Sequence, residues 1–238
     1  MTWLWRIFFS SLWLLPAVAA TVSGTVELVD SRDPAVRRTK NFSSVVVWLD
    51  PPAGEAPLKS GPRRVEMVQR GKHFLPHVLA IQVGTTVDFP NFDPIFHNAF
   101  SNFSGQLFDV GLYAPGTSRS ERFKREGVVR VFCNIHPTMS AVIVVLRTPY
   151  FAVSNRSGAF TIADVPPGEY RLRVFHERAS EEKLQTLERA VTVETSDLKL
   201  PVLTISETGY LPAPHKNKYG KEYPAVIDDR MVYPGARK

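Results

Sequence analysis

Residues 133–139 of the chain read Cys133-Asn134-Ile135-His136-Pro137-Thr138-Met139. This short stretch contains a thiol, an imidazole and a thioether, and all three are ligands for soft metal ions. It follows the β-branched run 127–132 and precedes a second such run at 140–146. The local pattern therefore predicts a strand, a ligand-bearing loop and another strand.

A metal ion held by this loop needs a further ligand from elsewhere in the chain. Copper bound by one Cys, two His and a weak axial Met is the ligand set of blue-copper electron-transfer centres. His97 is the candidate for the second histidine, because it lies in the Phe- and Pro-rich segment 88–100 that follows the strand-like run 81–89. We therefore predict one copper ion, cycling between Cu(I) and Cu(II), with the ligands His97, Cys133, His136 and Met139.

Over residues 65–147 the chain resembles the cupredoxins, the plastocyanin-like and amicyanin-like blue-copper proteins. In that family a His-Asn pair lies on an upstream loop and a Cys…His…Met loop joins the last two strands. The chain is also similar to bacterial plastocyanin-like proteins associated with methylamine utilisation, which share the run from Pro76-His77-Val78-Leu79 to Cys133-Asn134-Ile135-His136. The resemblance implies a Greek-key β-sandwich that acts as an electron carrier.

The same resemblance implies roles for residues around the ligands. Asn98 would tie the two ligand loops together beside the thiolate, and the ring edge of His136 would be exposed as the point of electron exchange. Apolar packing around the sulfur influences the potential of such a site. The side chains available for that packing are Phe96, Phe132 and Ile135, with Phe100 as a further member.

Other interpretations of the loop remain open at this point. A single Cys in a β-rich chain can be a buried small hydrophobic residue, a cupredoxin-like shell can lack copper, and zinc or a redox-active thiol can use the same donors. Hard metal ions are disfavoured because the loop has no carboxylates. Nucleophilic catalysis by Cys133 with His136 would need a substrate cleft, and no Gly-rich phosphate loop or HExxH motif is present. We expect no enzymatic activity.

The N-terminus has the pattern of a secretory signal peptide over residues 1–20. Arg6 precedes an apolar core, and Ala17 and Ala19 form an A-x-A match that predicts cleavage after Ala19 or Ala20. We therefore expect a periplasmic or secreted protein with no stable membrane insertion after cleavage; an uncleaved anchor is the alternative. Cys133 is the only cysteine, which rules out an intramolecular disulfide, and metal ligation would protect it from oxidation.

Residues 148–206 show short strands separated by turns. The turn 155–158, the Pro-Pro-Gly-Glu-Tyr turn at 166–170 and the alternating run 170–175 carry this pattern. The stretch resembles the carboxypeptidase regulatory-like, transthyretin-type β-sandwich, which implies a binding or scaffolding role. The predicted fold class is therefore all-β, with a cupredoxin sandwich followed by a second small β-sandwich.

The segments around these two modules are less informative. Residues 21–64 contain two predicted strands and a Pro-rich linker, and the strands could join either the cupredoxin sheet or the C-terminal module. Residues 177–189 fit a helix or a solvated loop. His176 is expected to be exposed at a strand end, with an approach to the copper site as the alternative. Residues 207–238 form a basic tail that we expect to be extended and poorly packed.

The net charge of +6 would steer a redox protein toward acidic partners. An exported protein rarely meets nucleic acid, so we expect no nucleic-acid partner. The sequence predicts an exported type 1 copper protein that carries single electrons between redox partners. The alternative is a β-sandwich binding or scaffold protein that sequesters copper or holds none.

Overall fold

The computed structural model describes residues 19–52, 63–102, 105–210 and 215–223. Residues 1–18 of the predicted signal peptide, the middle of the Pro-rich linker and the end of the basic tail lie outside these residues. The described part is nearly all β, as the sequence predicts. None of its helices has the length and apolar character needed to cross a bilayer.

The strands and helices alternate with short turns along the described residues. In chain order they are β1 (Ala20–Val29), α1 (Pro34–Thr39), β2 (Val46–Asp50), β3 (Arg64–Glu66), β4 (Val68–Arg70), β5 (His73–Leu75), β6 (Val78–Gln82), β7 (Thr86–Pro90), β8 (Phe100–Ser101), β9 (Phe108–Asp109), β10 (Ser118–Arg122), β11 (Gly127–Phe132), β12 (Ser140–Leu146), β13 (Phe151–Val153), β14 (Ala159–Val165), β15 (Gly168–Phe175), α2 (Glu181–Gln185), β16 (Arg189–Val193), β17 (Leu198–Lys199) and β18 (Leu203–Ser206).

Strands β3 to β12 form the first β unit, which contains the predicted ligands. One sheet has the order β6-β12-β11-β8-β9, a second has the order β10-β7-β3, and β4 pairs with β5. Alternate side chains of β7 and β11 enter a common core, because successive residues of a strand point to opposite faces. That core includes Phe89, Val129, Val131 and Ile143, all with no exposed surface.

The second β unit combines both ends of the chain. Strand β1 pairs with β14, β17 and β18, and β2 lies between β13 and β15. Both N-terminal strands therefore belong with the C-terminal module, which decides between the two placements that the sequence left open. Gly158 in the β13–β14 turn has a φ of 81°, and a Cβ there would lie 2.1 Å from the carbonyl oxygen of Val26. Only glycine fits that position.

The two β units pack against each other through an apolar interface. Val78, Val142 and Val144 on the outer face of β6 and β12 share a cluster with Val46 of β2. Strand β12 is consequently buried on both faces, which explains why its sequence is a continuous apolar run and does not alternate. The interface places β12, and the ligand loop that precedes it, on a rigid support.

The structure also resolves two features of the C-terminal module that the sequence left uncertain. Within the helix candidate 177–189, only Glu181–Gln185 is α-helical, with Ser180 as its N-cap. The expectation that His176 is exposed is wrong, because the residue is 1% exposed and its Nε2 lies 2.8 Å from Oε1 of Glu207. Buried polar groups need such partners.

Candidate metal centre

The loop between β11 and β12 is short and closed by its own backbone. The amide of Cys133 donates to the carbonyl oxygen of Met139 at 3.1 Å, and the amide of Met139 donates to the carbonyl oxygen of His136 at 3.1 Å. The strands on either side pair up to Phe132 and Ser140. The hairpin therefore fixes where the Cys133 and His136 side chains leave the backbone.

Three of the four predicted ligands meet at this loop. Sγ of Cys133 lies 3.6 Å from Nδ1 of His136 and 3.8 Å from Nδ1 of His97. The three donor atoms all lie within 4.8 Å of one another. Cys133 and His97 are 0% exposed, and His136 is 3% exposed. They are the only such cluster of three or more His, Cys, Asp or Glu residues within the described ranges.

These separations fit a metal ion bound between the donors. A sulfur ligand at about 2.3 Å and a nitrogen ligand at about 2.1 Å from a shared ion lie roughly 3.6–3.8 Å apart when the angle at the ion is about 110–120°. Both observed S···N distances, 3.6 and 3.8 Å, fall in that range. The His97–Cys133–His136 group could therefore hold a metal ion.

Asp93 orients His97, and the sequence interpretation missed it. Oδ2 of Asp93 accepts a hydrogen bond from Nε2 of His97 at 2.8 Å. The backbone amides of Gly71 and Lys72 donate to the same carboxylate at 2.5 and 2.8 Å. A carboxylate on the outer nitrogen of a histidine fixes its tautomer and strengthens the inner nitrogen as a ligand. The four-residue spacing from His97, within the same Pro-rich loop, is the signal that could have identified Asp93.

The charge states of this pair follow from its surroundings. Burial opposes ionisation of Asp93, but the amide of Lys72, the ring of His97 and the amide of Gly71 outweigh it and lower the pKa of the carboxyl. Burial lowers the pKa of His97 despite the hydrogen bond to Asp93. His97 is therefore neutral near pH 7, with its proton on Nε2 and a lone pair on Nδ1 that points toward Cys133.

Burial and backbone hydrogen bonds act in opposite directions on the ionisation of Cys133. Burial raises the pKa of the thiol, while the backbone amides of Asn98, Ile135 and His136 act in the opposite direction by donating toward the sulfur. Those amides stabilise a thiolate once a metal ion replaces the thiol proton. The Cys133 sulfur therefore has three backbone donors directed toward it.

Asn98 links the two ligand loops as the sequence predicts. Its Oδ1 accepts the amide of Asn134 at 2.5 Å, and its Nδ2 lies 3.3 Å from Oδ1 of Asp109. Because Asn98 follows His97 and Asn134 follows Cys133, this side chain holds the two ligand-bearing backbones side by side.

The remaining predicted residues occupy different positions around the centre. Met139 is fully buried in the same core cluster as Cys133, and Ile135 packs against that cluster while partly exposed. Phe96 is half-buried. Phe132 alternates to the opposite face of β11, where it contacts Phe100 and His215. Coordination by Met139 stays a prediction.

Tyr113 is a neighbour of the centre that sequence reasoning did not identify. Its backbone exchanges two hydrogen bonds with His97, and its hydroxyl donates to the carbonyl oxygen of Phe89 at 2.7 Å. Burial, and then the negative charge that Cys133 can carry, raise the pKa of the phenol. Nothing local in the sequence distinguishes Tyr113 from the other six tyrosines.

The surroundings of His136 differ from the expectation. The family resemblance implies an exposed ring edge, whereas His136 is 3% exposed. The basic tail, expected to be poorly packed, lies against the ligand loop in its described part. Tyr223 donates its hydroxyl to the carbonyl oxygen of Cys133 at 2.7 Å, and the amide of Lys218 donates to Oδ1 of Asn134 at 2.9 Å.

Comparisons with known proteins find similarity at the level of structure only. No family model and no curated protein matches the chain. A purple cupredoxin from Nitrosopumilus maritimus is similar over 35% of this chain and 99% of its own length, with 26% identity and a TM-score of 0.32. A reduced amicyanin variant is similar over 41% of this chain and 91% of its own, with 16% identity and a TM-score of 0.32.

A copper-containing nitrite reductase from Thermus scotoductus is also similar, at 28% identity and a TM-score of 0.33. That match covers 50% of this chain and 27% of the nitrite reductase. Each of these three matches, to the purple cupredoxin, the amicyanin variant and the nitrite reductase, leaves half of this chain or more uncovered.

Proposed function

We propose that this protein binds one copper ion through His97, Cys133 and His136, with Met139 as a weak additional ligand, and carries single electrons between redox partners. The observation that supports this most directly is the group of three buried donor atoms, one sulfur and two imidazole nitrogens, at S···N separations of 3.6 and 3.8 Å. A thiolate with two imidazoles suits copper, and a nearby thioether suits it further.

The protein's contribution is to hold the ligands still. A copper ion at this position supplies a one-electron redox couple. Asp93 fixes the ring of His97, Asn98 joins the two ligand loops, and the closed hairpin fixes Cys133 and His136. Ligands held in this way change little between the two oxidation states, which keeps the reorganisation on electron transfer small.

Burial of the donors favours a carrier over an enzyme. His97 and Cys133 have no exposed surface, and a catalytic group must come within hydrogen-bond reach of its substrate. An electron can cross a thin layer of protein, whereas a substrate would have to touch these atoms directly. The net charge of +6 favours acidic redox partners, and the N-terminal pattern supports export to the periplasm or the medium.

Copper sequestration is the second candidate function. Complete burial of the donors would slow metal release, which suits storage as well as electron transfer. The two functions differ in whether the bound ion can be oxidised and reduced repeatedly in place.

The visible spectrum of the copper-loaded mature protein tests both candidates. We expect one copper per chain and an intense thiolate-to-Cu(II) charge-transfer band that a reductant bleaches and an oxidant restores over many cycles. The Cys133→Ser variant should lack the band, and Ser140→Ala, at the other end of the loop, should keep it. Stoichiometric Cu(I) binding without reversible oxidation would support sequestration. A parent protein that binds no stoichiometric copper would refute both.

A further inference from the structure

The C-terminal strap, defined here as residues 215–223, crosses from the second β unit onto the metal centre of the first. The last strand, β18, ends at Ser206 in the second unit, yet the strap contacts the ligand loop of the first. Its contacts include three consecutive residues at the end of β11 and the start of the loop: the ring of Phe132, the carbonyl of Cys133 and the side chain of Asn134.

In the middle of the strap, Lys218 joins the ligand loop to strand β9. Its amide donates to Oδ1 of Asn134, and its Nζ lies 2.7 Å from Oδ2 of Asp109. Asp109 and Asn134 are also the two hydrogen-bond partners of the Asn98 side chain. Lys218 therefore closes a ring of hydrogen bonds that contains Asn98, Asn134 and Asp109.

The two ends of the strap, His215 and Tyr223, are held by aromatic packing and a hydroxyl group. The ring of His215 stacks on Phe132 with centroids 4.1 Å apart and planes at 28°. Tyr223 meets His215 edge-on at 5.3 Å and donates its hydroxyl to the carbonyl of Cys133 at 2.7 Å. The backbone of a metal ligand is thus the anchor point for the end of the strap.

The outer side of the strap is open to solvent at two positions. Tyr219 is 70% exposed, and Lys221 is exposed. The strap's internal bonds form a local turn, in which Oδ1 of Asn217 accepts the amides of Tyr219 and Lys221. A preformed turn held by a few anchors can detach as one unit while the rest of the fold stays intact.

We propose that the strap is a lid on the metal centre, locked by Tyr223 and Lys218. When it is closed, it holds the carbonyl of Cys133 and the side chain of Asn134, and a metal ion or a reagent reaches the Cys133 sulfur only after the strap releases the ligand loop. The role in metal exchange rests on the proposed copper function, but the effect on access to Cys133 does not. The lid regulates how fast the centre is filled and emptied.

Alkylation of Cys133 in the metal-free, full-length mature protein tests the lid directly, since the chain has one cysteine. Tyr223→Phe removes the hydrogen bond to the carbonyl of Cys133, and Lys218→Ala removes the contact of Nζ with Asp109 while keeping the backbone bond to Asn134. When lid motion is faster than alkylation, the rate follows the population of the open form. Loss of one such hydrogen bond should raise the rate with iodoacetamide about fivefold to tenfold.

Tyr219→Phe and Lys221→Ala are the matched controls, because they change the same residue types in the same segment at positions that do not contact the ligand loop. We expect their alkylation rates to equal that of the parent. Thermal unfolding of all five proteins should be alike, which would assign the faster alkylation to local opening. The double variant Tyr223→Phe/Lys218→Ala should be faster than either single variant.

Copper release to a Cu(I) chelator provides the second readout, and the same two variants should accelerate it by a similar factor. Equal alkylation rates in the parent and both lock variants would overturn the lid, and so would equal acceleration in the controls. A protein that fails to bind copper but shows lock-dependent alkylation would refute the proposed function and leave the lid standing. The two failures are therefore distinguishable.

Discussion

His97 and His176 are both buried histidines in contact with a carboxylate, yet the two β units treat them differently. His97 is 0% exposed and His176 is 1% exposed, and each Nε2 lies 2.8 Å from a carboxylate oxygen. Around His97 the remaining neighbours are a thiol and a second imidazole, whose donor atoms face one another. Around His176 the protein itself provides a cation.

The charge of the carboxylate beside His176 is balanced by a neighbouring arginine side chain. Glu207 accepts from His176, from Nη2 of Arg178 at 3.0 Å and from Oγ of Ser31 at 2.5 Å. Burial opposes ionisation of Glu207, but these donors outweigh it and lower the pKa of the carboxyl to about 2. A buried histidine with a carboxylate therefore indicates a metal site only when further donors converge and no side-chain cation is present.

The largest effect should come from Glu207→Ala, which leaves the buried His176 and the partly exposed Arg178 without their shared acceptor. Removing one partner of a buried ion pair costs about 3–5 kcal/mol, so we expect a loss of that size in the free energy of unfolding measured with urea. Copper affinity should stay unchanged, because the centre lies in the other unit. Glu194→Ala, at an exposed position, should change stability by less than about 0.5 kcal/mol. Equal losses in both variants would contradict a structural role for Glu207.

Asp93→Asn should give the next largest effect, this time on metal binding. Weakening the partner of a metal-bound histidine typically lowers metal affinity about 10–100-fold, and we expect that loss in competitive titrations with Co(II). The reduction potential of the copper form should rise, because a carboxylate behind the ligand stabilises the more positive oxidation state. The control is Asp88→Asn, whose carboxylate pairs with Arg64 on the surface. Unchanged affinity in Asp93→Asn would show that His97 is oriented without Asp93.

Met139→Leu separates the packing role of this residue from its predicted ligand role. The replacement conserves volume, so the metal-free protein should lose about 1 kcal/mol or less of unfolding free energy. If the thioether is a ligand, the copper form should change its absorption spectrum and its reduction potential. A copper spectrum identical to that of the parent would remove Met139 from the ligand set while leaving its core position intact.

The smallest effect concerns His77, which joins the two β units. Its Nε2 lies 2.8 Å from Oε1 of Glu177, and its Nδ1 lies 3.1 Å from the carbonyl oxygen of Ser140. The hydrogen bond to Glu177 raises the pKa of His77 despite burial. Burial opposes ionisation of Glu177, but the hydrogen bond from His77 outweighs it and lowers the pKa of the carboxyl.

The direction of the pH dependence follows from these shifts. The Glu177 contribution is present above its unfolded pKa of about 4.3 and is lost as pH falls through the lowered folded pKa; the His77 contribution is present below about pH 6.5 and is lost as pH rises through the raised folded pKa. The pair should therefore stabilise the protein most between about pH 4.5 and 6.5, by about 0.5 kcal/mol because His77 is partly exposed.

Thermal unfolding measured across pH checks the pair. His77→Gln should flatten the decline in Tm above pH 6.5, and His73→Gln, at an exposed histidine, should leave the profile unchanged. A parent profile that does not decline above pH 6.5 would be evidence against a contribution from this pair.

The all-β class and the meeting of His97, Cys133 and His136 were predictable because their signals are local. Cys133 and His136 share one loop, so their spacing alone limits what they can do together. The strand pattern around them comes from β-branched runs that need no tertiary information. The link through Asn98 was implied by the resemblance to the cupredoxins, in which a His-Asn pair lies on the upstream loop.

The burial of His136 and the partner of His176 were not predictable in the same way. Each depends on which distant segment arrives beside the residue: the strap lies against the ligand loop, and β18 brings Glu207 to His176. Sequence patterns describe one segment at a time, and they carry no information on which partner a strand end or a tail will meet.

The amino-acid sequence by itself determined which donors are available, a thiol and two imidazoles, with a thioether in the same short loop as the thiol. Tertiary structure alone decided the surroundings of those donors. It placed β1 and β2 in the C-terminal unit, brought the amides of Gly71 and Lys72 to Asp93 and laid the strap against the loop. The physical reason is that ligand identity is a covalent property of the chain, whereas burial and hydrogen-bond partners arise from packing between segments far apart in sequence.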